Sequence, residues 1–217
     1  MKKQTLPRVV RHEKPPKMTG RAGYRKAEPY LRRDFDYRCA YCMVHEQQLG
    51  DTKAFCIDHF KPRSKGGRVN EYANLYWSCI PCNLFKHDKW PTAVQRRKGY
   101  RFANPCHEQD YGVHFVESDV GELLPQTPCG EYHVGILRLN RAWLRRLRLE
   151  RNQKRERLNE ALALQEELEG AVTAQPDAEA EVKLRLLSFL RNEIEALQRE
   201  LTIGIPFIAP HEESDVK

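Results

Sequence analysis

The sequence predicts an α+β chain: a small ββα module stapled by cysteines, followed by a C-terminal α-helical hairpin. Three observations carry that prediction. Two Cys-x-x-Cys pairs, Cys39/Cys42 and Cys79/Cys82, enclose the β-prone runs AFCIDHF (54–60) and LYWSC (75–79). Pro81 follows the second run, where a helix can begin, because the N–H it lacks has no partner in a first turn anyway. Farther on, Leu187, Leu190, Ile194, Leu197 and Leu201 recur at spacings of 3, 4, 3 and 4, which places them on one stripe of a helix.

The elements follow in chain order. Residues 1–35 form a basic N-terminal arm: eleven Lys and Arg fall in the first 33 positions, with Pro7, Pro15, Pro16 and Pro29 among them to prevent one long helix. A solvated tail that orders only toward AEPYLRRDF is the plain expectation, and its charge also suits a phosphate backbone. Residues 36–92 form the compact module, in the order strand, loop PRSKGGRVNEYAN (62–74), strand, and helix over 81–90, with Pro62, Gly66 and Gly67 punctuating the loop. Residues 93–137 show no helical periodicity and are rich in Gly, Pro, Tyr, His and Phe, so an irregular or β-rich extension is expected. Residues 138–203 have few helix breakers; Gly170 suits a C-terminal cap, and GAVTAQPDAEAE links two antiparallel helices. The hairpin buries its stripes against itself or offers a docking surface for a partner or a second copy. Residues 204–217 are a tail.

Bulk properties narrow the function. The net charge is +7, the pI is near 9.0, and 31% of residues are charged. That balance favours a polyanionic partner, because Lys and Arg on phosphates release condensed counterions. No run of about 18 apolar residues occurs, so no membrane association is expected. The charged start MKKQTLPRVVRHEKPPK lacks the apolar stretch of a secretory signal. Seven cysteines, an odd number, four of them in pairs of metal-ligand spacing, fit a reducing compartment; a cytoplasmic protein is expected.

The two cysteine pairs offer four thiolates to one tetrahedral ion. Such a site has no position open for water, which is the pattern of structural zinc. Binding that ion supplies about 10–16 kcal/mol of apparent energy to a small fold. Cys56 reads as a small side chain inside a strand, and Cys106 and Cys129 have no assigned role.

A second group carries different chemistry. Asp58 and His59 are neighbours in the first strand and therefore point to opposite sides. Asn83 and His87 are four apart, on one face of the expected helix. Asp58, Asn83 and His87 together present two oxygens and a nitrogen, a set that suits Mg²⁺, Mn²⁺ or another divalent ion with open positions. Asn74 ends the long loop, where its amide can brace the backbone near His59. Arg63, Lys65 and Lys86 are candidate phosphate contacts.

The segments IDHFKPRSKGG and EYANLYWSCIPCNLFKHD resemble the HNH endonuclease family, in its zinc-containing branch. The resemblance implies a ββα-metal nuclease module, with Asp58 a metal ligand, His59 the general base, Asn74 an orienting residue, and Asn83 and His87 at the helix ligand positions. It implies hydrolysis of phosphodiester bonds in nucleic acid, with DNA favoured over RNA, leaving 5′-phosphate and 3′-hydroxyl ends. Asn83 departs from the usual His, making an H-N-N variant. Chains of this size with helical C-terminal extensions also resemble bacterial anti-phage effectors such as the PtuB-type nucleases of Septu systems, which work beside an ATPase. The competing reading is a non-catalytic, zinc-dependent nucleic-acid-binding subunit of a larger complex.

Overall fold

The computed structural model describes residues 8–12, 14–108, 111–174 and 180–206. Strand β1 (Phe55–His59) pairs antiparallel with β2 (Leu75–Cys79), in a register that sets Phe55 opposite Cys79 and His59 opposite Leu75. Helix α2 (Ile80–Lys86) leaves β2 without a linker and packs on both strands. It ends four residues before the expected 90: His87 takes φ 44° and its N–H bonds the Asn83 carbonyl, which closes the helix. Every residue of β2 is buried, because α1 (Glu28–Asp34) also packs against this strand.

Aromatic stacking fills the module. Trp77 stacks on Phe55 with ring centroids 5.6 Å apart, and Tyr76 stacks on Phe60 at 4.6 Å. The Trp77 indole N–H donates to the buried Glu46 carboxylate at 2.7 Å. Arg32 donates to the same carboxylate through two nitrogens, at 2.9 and 2.7 Å. Paired, forked donors of this kind are what make a buried carboxylate tolerable.

Three expectations need correction. The N-terminal arm is not wholly a solvated tail. Val9 N–H donates to the Pro105 carbonyl at 2.8 Å, and the Arg11 guanidinium lies 4.7 Å over the Tyr76 ring while donating to the carbonyl oxygens of Tyr72 and Leu75. Arg11 is thus spent on the core; residues 1–7 and 13 lie outside the described residues. The extension is not only irregular or β-rich. After α3 (Ala93–Arg97) and the short pair β3 (Phe115–Glu117) and β4 (Leu123–Pro125), it forms helix α4 (Pro128–Leu137), started by the Thr127 side chain accepting from Gly130 N–H. Finally, Gly170 does not end its helix: α5 runs Ala142–Ala174.

Helix α5 spans about 50 Å at 1.5 Å per residue. It pairs with α6 (Ala180–Ile203), whose Leu187, Leu190, Ile194 and Leu197 are buried as one stripe. The linker residues 175–179 and the tail from 207 lie outside the described residues. Arginines fasten the base of the hairpin. Arg148 donates to the carbonyls of Gly121 and Leu139, both at 2.9 Å, and Arg151 donates to those of Ile205 and Pro206 and pairs with Glu117. Among the described residues, no helix is long and apolar enough to cross a membrane.

Candidate active site

The first Cys-x-x-Cys pair sits in a tight turn beside the hairpin, where Ala40 N–H donates to the Trp77 carbonyl and Met43 N–H to that of Cys39. The second pair joins the end of β2 to the first turn of α2. All four Sγ atoms are buried and lie within 4.8 Å of one another, and Cys42 and Cys79 are 3.7 Å apart. A tetrahedral ion with metal–sulfur bonds of about 2.3 Å requires sulfurs about 3.8 Å apart, so the cluster fits zinc. A four-thiolate zinc site carries excess negative charge, and Arg141 stands beside it, 3.5 Å from Cys82 Sγ. Burial lowers the Arg141 pKa, but the neighbouring thiolates outweigh that and raise it.

Asp58 and His59 leave β1 on opposite sides. Asp58 points inward, and its carboxylate accepts from the Tyr41 hydroxyl, within the first cysteine turn, and from Lys86 Nζ at 2.9 and 3.1 Å. The Lys86 side chain has no solvent exposure and also donates to the His59 carbonyl at 2.8 Å. Burial pushes the Lys86 pKa down, and Asp58 opposes that shift. This corrects the expectation of a phosphate contact: Lys86 is a buried partner of Asp58, whereas Arg63 and Lys65 are exposed. Arg63 lies 5.1 Å over the Tyr24 ring.

His59 is held from the other side. Its Nε2 meets the Val69 carbonyl at 3.0 Å. A carbonyl only accepts, so Nε2 carries the ring proton and the neutral imidazole keeps its lone pair on Nδ1. The Tyr24 ring meets the imidazole edge-on at 5.2 Å. Burial holds the His59 pKa below its ordinary value, with the Arg63 charge adding to the effect; the Val69 contact opposes it.

Asn74 ties the loop shut. Its Oδ1 accepts from Lys61 N–H at 2.8 Å, and its Nδ2 donates to the carbonyls of Lys61 and Arg68 at 3.2 and 3.1 Å. Gly67 is required at this point, since a Cβ on it would lie 1.8 Å from the Lys61 carbonyl oxygen. The loop that carries Val69 is thereby clamped to the segment just after His59.

The two helix ligands are placed differently. Asn83 is half-buried on α2 and lies near Cys56, two residues before Asp58 on the same face of β1. His87 lies beyond α2, with its side chain 74% exposed and its Nδ1 on Asp88 at 2.9 Å. The Asp58–Asn83–His87 set therefore does not fit a divalent ion in this arrangement: His87 is turned away, and the Asp58 carboxylate is already neutralised by an ammonium. Tyr24 and Tyr41 complete the surroundings of the site and were not singled out from sequence; each contact joins residues far apart in the chain.

Residues 39–89 match the family model for HNH endonuclease. No curated protein and no solved structure matches the chain. The matched segment holds both cysteine pairs, and their clustering fits the zinc-containing branch of that family.

Proposed function

We propose, from the HNH match of residues 39–89, that this protein is an endonuclease that hydrolyses phosphodiester bonds of nucleic acid, DNA in the first instance, with His59 as general base. The observation that carries the proposal is the tautomer of His59. With Nε2–H committed to the Val69 carbonyl and the ring neutral near pH 7, Nδ1 is a ready proton acceptor. In the proposed reaction Nδ1 removes a proton from water as the water oxygen attacks phosphorus. The P–O3′ bond breaks in line, giving a 5′-phosphate and a 3′-oxygen that takes its proton from solvent. Asn74 acts as a positioning residue, because it fixes the loop that bears the Val69 carbonyl. The HNH family uses a divalent metal, and dependence on Mg²⁺ or Mn²⁺ belongs to the proposal by that resemblance. Because Asp58 is paired to Lys86, the proton transfer is assigned to His59 alone.

A positioned base typically contributes about 10²–10⁴-fold. His59→Ala is expected to lower plasmid cleavage by that factor while leaving zinc content and the melting curve unchanged. Cleavage at the wild-type rate by a folded His59→Ala protein would refute the assignment. On family resemblance we place the protein in the bacterial cytoplasm as an anti-phage effector, with an ATPase subunit or a second copy as partner for the helical hairpin. Co-purification and size measurement test that placement.

A further inference from the structure

Beside the loop lies a cleft that the proposed chemistry does not use. Lys61, Lys65, Trp90, Pro91, Thr92 and Arg96 line a space of about 570 Å³, within the size range of small-ligand pockets. Three cations line it, and no acid does. Lys61, Lys65 and Arg96 are exposed, and among the described residues none of them forms an ion pair. On the hairpin, by contrast, Arg146, Lys154, Arg157, Arg185 and Arg191 each contact a glutamate. Asp88 lies close enough to feel the Lys65 charge, but three cations against one acid leave the concave wall net positive, and such a wall focuses positive potential and attracts an anion.

The walls are built rather than incidental. Trp90 is half-buried and packs edge-on against Phe60 at 5.7 Å, while Arg96 donates to the Pro91 carbonyl at 2.6 Å. Lys61 follows His59 by two positions, and its backbone is the segment Asn74 clamps on both its N–H and its carbonyl. Its ammonium folds over Gly66, 3.7 Å from where a Cβ would stand. The cleft is thus continuous with the His59 loop and has a tryptophan on its other side.

We propose that this cleft is a phosphodiester-binding subsite: Lys61, Lys65 and Arg96 take backbone phosphates of the nucleic-acid strand next to the scissile bond, and Trp90 packs on the adjoining sugar or base. The inference rests on the nuclease reading and extends it to substrate positioning. Arg63 and Lys86, by contrast, are outside this subsite, one on the Tyr24 ring and one in the core.

The test is the salt dependence of binding, measured by fluorescence anisotropy with labelled single-stranded and duplex oligonucleotides. It is run in the His59→Ala background without added divalent ion, so that no cleavage interferes. Three lost phosphate contacts lower the slope of log K against log salt by about 2 for a single strand and about 2.7 for duplex. The triple change Lys61→Gln, Lys65→Gln, Arg96→Gln is expected to show that drop and to weaken binding at least tenfold at low salt. The control Arg185→Gln, Arg191→Gln, Arg199→Gln removes the same charge from α6 and is expected to leave the slope within half a unit. Equal losses in the two triple variants, or an unchanged slope in the cleft variant, would overturn the subsite. Neither result touches the nuclease reading, which stands or falls on cleavage by otherwise wild-type protein and by His59→Ala.

Discussion

Acid should loosen this protein through one histidine that takes no part in the proposed chemistry. His133 is fully buried on α4, where its Nδ1 accepts from the Ala103 N–H at 3.2 Å and its Nε2 faces the Tyr41 carbonyl at 3.5 Å. Only the neutral ring satisfies both partners; a proton on Nδ1 would set two donors against each other. Burial accordingly pushes the His133 pKa down to about 4. In the unfolded chain the ring titrates near 6.5. The unfolded state therefore binds more protons between those values, so this contribution to stability is complete above about pH 6.5 and is lost as pH falls toward 4. Between pH 7.5 and pH 5 the loss from this one group is about 2 kcal/mol. Urea denaturation at the two pH values, wild type against His133→Gln, measures it. The variant starts less stable at pH 7.5, and its fall on acidification should be smaller than the wild type's by about that amount. Equal falls in the two proteins would refute the reasoning.

Two further outcomes follow from the site. Gly67→Ala drives a methyl into the Lys61 carbonyl, so the loop must move and the Asn74 clamp must open; a stability loss of about 1–3 kcal/mol is expected from such overpacking, with cleavage falling as well, and an unchanged melting temperature would contradict the clamp. Chelation or Cys79→Ser should remove one zinc per chain and unfold the module, whereas His59→Ala keeps its zinc; metal analysis by atomic emission with far-UV circular dichroism separates the two, and a folded, zinc-free Cys79→Ser protein would contradict the structural role.

Features set by local spacing were readable in the sequence. The cysteine pairs, the β2 strand and the 187–197 stripe depend on neighbours a few residues apart, and the structure has them where those spacings point. Features set by distant partners were not readable. A lysine at position 86 looks like a surface cation until β1 brings Asp58 to it, and a positive φ at His87 turns that side chain away from the face it would occupy in a longer helix. Helix α4 escaped notice because Gly130 and Gly135 interrupt it; Gly130 is needed for packing, since a Cβ there would lie 2.1 Å from the His114 carbonyl oxygen.

The arginines at the base of the hairpin have a mechanical consequence. Arg38, next in the chain to Cys39, donates to the carbonyls of Ile203 and Gly204 where α6 ends, and Arg141, just before α5, reaches Cys82. Each leg of the hairpin is thus held beside a different cysteine turn. A change that disturbs those turns is therefore expected to loosen one contact of each leg, while Arg148 and Arg151 still hold the base through Gly121, Leu139, Ile205 and Pro206.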